Sequence, residues 1–176
     1  MITICLTSSA FAPDMTDNFS VFDQLLSLLS AQGVTWSVLE HEPVYTSEQA
    51  AEVRGTSLSS GAKALICKAD QEFRLFVMPA NRRLATKQVR TSLKIRRLRF
   101  ATADEVLELT GLRPGSIPPF GSLFSLPTCC DESLSEETVI NFNAGDHARS
   151  ISMTFADYCV VENPTRCSIA SLSDGV

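Results

Sequence analysis

The sequence has no long apolar run. Within its 176 residues, no stretch approaches the roughly 20 apolar residues needed to cross a bilayer, so no membrane-spanning helix is expected. The opening MITICLTSSAFA has no basic flank, and Ile2 to Leu6 is too short for the core of a secretory leader. A flexible extension over residues 1–16 is the expectation. Metal-ligand spacing is also missing: there are two histidines and no Cys-x-x-Cys pair, so no metal is expected. The six cysteines, Cys5, Cys67, Cys129, Cys130, Cys159 and Cys167, then read as free thiols in a reducing cytoplasm. Cys67, inside an apolar run, reads as a buried one. No G-x-S-x-G elbow, H-E-x-x-H helix, Walker A loop or G-x-G-x-x-G turn occurs, which argues against serine hydrolases, zincins, P-loop NTPases and Rossmann enzymes.

What is present is an ordinary globular composition, 44% hydrophobic and 20% charged, enough for one packed domain. The net charge of -5 is unevenly spread. Arg82, Arg83, Lys87, Arg90, Lys94, Arg96, Arg97 and Arg99 follow one another with no acid between them, leaving the rest of the chain at -13. Such asymmetry suggests one positive surface on an acidic body, attractive to phosphate chains. A solvated face that balances acids elsewhere would read the same way.

Periodicity and punctuation predict the elements. Asp17 or Asn18 can cap a helix carrying Phe19, Phe22, Leu25, Leu26 and Leu29, ended by Gly33. Val34 to Val38 alternates like a half-buried strand. A short helix from Thr46 or Ser47 closes at Gly55, and strands follow over 62–69 and 73–78. The basic segment accommodates a short helix from Thr86 and a strand near 98–101. Thr102 with Glu105 is a capping box whose helix ends at Gly111. The run GLRPGSIPPFG, 111–121, holds three glycines and three prolines and reads as an ordered loop. Strands are predicted over 122–126, 138–142 and 150–155, then a short helix over 156–159 and a frayed polar tail over 163–176. Helices and strands mix without strict βαβ alternation, so a single α+β domain over 17–162 with a largely antiparallel or mixed sheet is expected.

Three places could carry chemistry. Lys63 opens an apolar strand between alanines. Its ammonium can be aimed into a cleft beside the sheet to bind a phosphate or polarise an ester carbonyl, or it can snorkel to the surface. The turn Gly111-Leu112-Arg113-Pro114-Gly115 can present backbone N–H groups to a substrate oxygen, or it can be a helix cap and tight turn. The loop Asn141 to His147 sets Gly145 and His147 at a sheet end, as substrate contacts or as an ordinary polar turn. Asp131, after Cys129-Cys130, offers a carboxylate to a site or a cap to the turn at Ser133. His41-Glu42-Pro43 reads locally as a strand end and turn.

The ordered set of motifs resembles one family. HEPVYTSEQAA from His41, GAKAL from Gly61, MPANRRL from Met78, GLRPGSIPPFG from Gly111 and Asn143-Ala144-Gly145 before Ser150-Ile151 are similar to the YbaK/ProX aminoacyl-tRNA deacylases over roughly residues 20–160. Those proteins are related to the editing insertion of bacterial prolyl-tRNA synthetases. The resemblance implies a single mixed-sheet α+β domain with short flanking helices. It also implies hydrolysis, without metal or cofactor, of a wrongly charged aminoacyl-tRNA in trans. By the same resemblance Lys63 and Gly115 are catalytic and stabilise the ester oxyanion. His41, Tyr45, Gly111, Pro114, Asn143, Gly145 and His147 would contact substrate. Arg82, Arg83, Lys87 and Arg90 would hold tRNA phosphates, which positions without reading sequence. The expected substrate is Ser, Thr, Ala or Cys wrongly joined to tRNA, foremost tRNA for proline, with a synthetase as a further partner. A module of the same fold that binds tRNA or a synthetase without catalysis is the alternative. A hydrolase of an unrelated small ester or nucleotide is a third.

Overall fold

The computed structural model describes residues 19–172. Its helices are short, so their ends matter. Ser20, Thr46, Thr102 and Thr154 cap α1 (Val21–Ala31), α2 (Ser47–Arg54), α4 (Ala103–Thr110) and α5 (Phe155–Glu162), each hydroxyl accepting a backbone N–H of the first turn. The first three form capping boxes, with Asp23, Gln49 and Glu105 reaching back. α3 (Thr86–Ser92) has no side-chain cap. The expected caps Asp17 and Asn18 lie outside the described residues, and Ser20 does that work.

The strands form three sheets. The largest runs β5 (Leu98–Phe100), β2 (Ala62–Ala69), β3 (Glu72–Pro79), β6 (Thr128–Asp131), β9 (Thr165–Cys167). β2 pairs antiparallel with β3 and β5, and the β3–β6–β9 side is parallel. A second, antiparallel sheet runs β1 (Trp36–Glu40), β8 (Arg149–Thr154), β7 (Val139–Asn143). β4 (Arg82–Leu84) and β10 (Ala170–Leu172) make a two-stranded ribbon. The mixed α+β expectation holds.

Consecutive residues Leu75, Phe76, Val77 and Met78 are all fully buried, because β3 is covered on both faces. Leu75 and Val77 face the main core with Leu25, Leu29, Ile140, Phe142, Ile151 and Tyr158. Phe76 and Met78 face a smaller core with Cys67, Val89, Ile95 and Ile169. The five described cysteines carry free thiols. Among the described residues, no helix is long and apolar enough to cross a membrane.

Several expectations are corrected. Residues 122–126 are not a strand: Gly121–Phe124 is a 3-10 turn and Ser125 is left-handed at φ 56°. Thr128 Oγ1 takes the Gly121 N–H, curling the segment away from any neighbouring strand. The strand at 150–155 ends one residue early, because Thr154 caps α5, which runs on to Glu162. β1 is a largely exposed edge, not a half-buried strand, with Val38 and Leu39 each 42% exposed. The tail read as frayed contributes β9 and β10. Its anchor is the buried carboxylate of Asp131, which takes the N–H groups of Ile169 and Ala170 at 2.7 Å each and also that of Ser133 at 3.0 Å.

Candidate active site

A cleft of about 170 Å³ opens where α2, the start of β2 and the end of β7 meet. Tyr45, Arg54, Lys63, Gly115, Asn141 and Asn143 supply its polar wall and rim, and Ala50, Ala62, Ile117 and Phe142 its apolar part. None of the lining residues carries a carboxylate.

Lys63 is half-buried on β2. Its Nζ donates to the carbonyl of Arg82 at 2.5 Å and to that of Ala80 at 3.4 Å, so the β3–β4 turn holds the ammonium from one side. One N–H of the three remains for the cleft. Burial pushes the Lys63 pKa down, partly offset by the nearby Glu48 carboxylate.

Gly115 stands on the rim with φ +91°, a backbone state costly for any other residue. Its carbonyl accepts from Asn143 Nδ2 at 2.7 Å. Among the described residues, no protein acceptor takes its N–H. A Cβ at this position would sit 3.2 Å from His147 Cε1. The His147 ring also packs at a tilt against Tyr45, centroids 4.9 Å apart, and its Nδ1 is 3.0 Å from the Val44 carbonyl.

Of the residues singled out by sequence, Tyr45, Lys63, Gly115 and Asn143 line the cleft. The others stand behind it or beside it. His41 lies just after β1, with Nε2 2.7 Å from Ser150 Oγ. His147 supports Tyr45 and borders Gly115. Gly111 is the left-handed cap of α4, and Pro114 is exposed on the turn before Gly115. Gly145, φ +94°, donates to the Ser116 carbonyl at 3.0 Å and packs on Val21 and Phe22 of α1. Asp131 lies among the anchors of the C-terminal strands, where it also caps the turn at Ser133.

Sequence reasoning missed Arg54. It is half-buried in the last turn of α2, with Nε 2.9 Å from Ser150 Oγ and Nη2 2.5 Å from Asn143 Oδ1. Burial pushes its guanidinium down to about 10, which leaves it charged at neutral pH. Asn141 was also passed over as a site residue. It is buried in the cleft floor, tied to Ser60 Oγ at 3.0 Å and to Ser152 Oγ at 2.5 Å.

The basic segment begins at the cleft edge, since Arg82 supplies the carbonyl that holds Lys63. Arg83 on β4 and Lys87 and Arg90 on α3 are exposed. Arg99 is engaged by Glu105 at 2.6 and 2.7 Å, and the backbone N–H groups of Arg96 and Arg97 close on Asp70. The side chains of Lys94, Arg96 and Arg97 are exposed as well, so the basic surface runs along the segment, with Arg99 drawn to Glu105.

Comparison with known proteins bears on this arrangement. The profile of a family described as the aminoacyl-tRNA editing domain matches residues 41–159. The multifunctional Ser/Thr-tRNA deacylase ProXp-y of Escherichia coli (strain K12) is 34% identical over 156 residues, 86% of this chain and 93% of that protein. A proline–tRNA ligase of Bacillus licheniformis is 35% identical over 82 residues, 46% of this chain and 14% of the ligase. Among solved structures, a proposed trans-editing enzyme for prolyl-tRNA synthetase matches with a TM-score of 0.77 at 23% identity, covering 86% of this chain and 97% of that one.

Proposed function

The chain belongs to the aminoacyl-tRNA editing domain family, and from that membership we propose that it hydrolyses the ester of mischarged aminoacyl-tRNA, acting in trans. The observation that carries the reading is a carboxylate-free cleft with the Lys63 ammonium on its wall and the Gly115 loop on its rim. An aminoacyl ester is already activated. Its hydrolysis needs a placed water and stabilisation of the charge that develops on the carbonyl oxygen. The remaining Lys63 N–H and the Gly115 N–H are donors suited to that oxygen. A low-dielectric wall strengthens both interactions. None of the lining residues is a carboxylate or an imidazole, which supports water orientation by the terminal ribose hydroxyl or by loop carbonyls.

The amino acid removed is a small one: Ser, Thr, Ala or Cys. The hydroxyl and amide lining from Thr46, Ser47, Ser57, Asn141 and Asn143 favours Ser and Thr, the amino acids in the name of the Escherichia coli relative. Hydrogen-bonding groups in a pocket reject a side chain that leaves them unpaired far better than an apolar pocket rejects an extra methylene. tRNA for proline is the proposed carrier, supported by the partial match to a proline–tRNA ligase. Arg82, Arg83, Lys87 and Arg90 hold its phosphates.

A panel of mischarged tRNAs tests the reading, with Lys63→Ala alongside. Release of a small amino acid is expected from the wild-type protein. The variant should be slower by about 10²–10³-fold, the usual cost of one oxyanion donor, with tRNA affinity unchanged. Retained affinity with no turnover by the wild-type protein would point to a binding module.

A further inference from the structure

The guanidinium of Arg54 is built into the cleft wall without a counter-charge. Its side-on edge is filled, Nε donating to Ser150 Oγ and Nη2 to Asn143 Oδ1. Both acceptors are fixed in turn, Ser150 by His41 Nε2 at 2.7 Å and Asn143 by the Gly115 carbonyl at 2.7 Å. The guanidinium is thus oriented from behind by neutral groups. Among the described residues, no carboxylate forms an ion pair with it and no acceptor takes Nη1. A half-buried charge held this way costs folding free energy, so its retention calls for a ligand.

The end-on edge of the fork, Nη1 with the second N–H of Nη2, offers two parallel donors. That geometry fits two oxygens of one anion, a carboxylate or a phosphate, better than a single oxyanion. In an aminoacyl-tRNA the ester, the ribose and the base are uncharged, and the nearest anion is the phosphodiester on the 5′ side of the terminal nucleoside. We propose that Arg54 binds that phosphate and thereby registers the ester against Lys63 and Gly115. The inference rests on the deacylase reading and assigns the phosphate next to the reacting end to α2, apart from the stem phosphates given to the basic segment.

The test uses a non-hydrolysable probe, 3′-seryl-amino-3′-deoxyadenosine, with and without a 5′-phosphate. Dissociation constants are measured by calorimetry at one fixed salt concentration for wild type, Arg54→Gln and Arg54→Lys. Wild type should bind the phosphorylated probe about tenfold tighter or more, as expected for a charge-assisted two-point contact. Arg54→Gln should bind both probes alike, and Arg54→Lys should keep part of the preference as a point charge. The ratio of the two constants is taken within each folded variant, so a loss of stability does not mimic the effect. Equal binding by wild type, binding of neither probe, or a preference that survives in Arg54→Gln would each overturn the assignment. Wild-type hydrolysis of mischarged tRNA without a phosphate preference sinks this inference alone; hydrolysis of no charged tRNA sinks the deacylase reading with it.

Discussion

Lys63 and Arg54 show how much a single position reveals. Lys63 was legible as a candidate because it opens an apolar strand between alanines, but that position alone left a snorkelling surface lysine open, and the family resemblance singled it out. Arg54 was not, because a cation in the last turn of a helix already has a local explanation in the helix dipole. Only the fold brings Asn143 and Ser150, 89 and 96 residues away, to its guanidinium. The burial of Lys63 makes a pH prediction. In the mechanism we propose its ammonium is the working form, and its pKa lies below the ordinary 10.5, so enzymatic turnover should fall as pH rises through that lowered value. Glu48 raises the same pKa. Glu48→Gln should therefore move the alkaline limb of the rate profile to lower pH, measured after subtracting spontaneous ester hydrolysis; an unmoved limb would separate it from Lys63. At Gly115, alanine must adopt φ +91° and press on His147, strain of about 1–3 kcal/mol. Gly115→Ala should lower kcat more than it raises KM for a charged tRNA. Adding His147→Ala should restore the steric part and leave the backbone part.

At the scale of elements, the caps were the readable feature. Thr46, Thr102 and the glycines at 55 and 111 punctuate α2 and α4 as local chemistry requires. Elements fixed by distant partners were not readable. The Cys129-Cys130 strand is formed by β3 on one side and β9 on the other, and neither neighbour is near in sequence. The last two strands look like a polar tail because their anchor is a carboxylate some forty residues earlier. Asp131→Ala should strand the Ile169 and Ala170 amides and cost about 2–5 kcal/mol in denaturant unfolding. Hydrogen exchange should report the loss first in β10 and β4. A variant that unfolds uniformly, with no early exchange there, would show that Asp131 serves the core in general.

For the molecule as a whole, composition foretold a packed domain and the order of elements a mixed α+β fold, while charge patterning suggested one positive surface or a solvated face. It could not tell that Glu105 would pair with Arg99, or that Asp70 would close on the backbone of Arg96 and Arg97, at the far end of that segment. Reversing the charges of Arg82, Arg83 and Lys87 should raise KM for charged tRNA and flatten its dependence on salt. Hydrolysis of a short aminoacyl-nucleoside should be unchanged. If the short substrate suffers equally, the segment acts on the cleft and not on the tRNA body.

The ribbon of β4 and β10 has a consequence for the order of synthesis. The carbonyl that holds Lys63 belongs to Arg82, and Arg82 is paired with Leu172. The lysine therefore leaves the ribosome more than a hundred residues ahead of the strand that backs its cradle, a delay of about 5–20 s at ordinary elongation rates. Throughout that interval the nascent chain carries Lys63 and its basic segment without the strand that pairs with Arg82. If the proposed roles hold, a nascent chain gains its tRNA-holding segment before its deacylating site is complete.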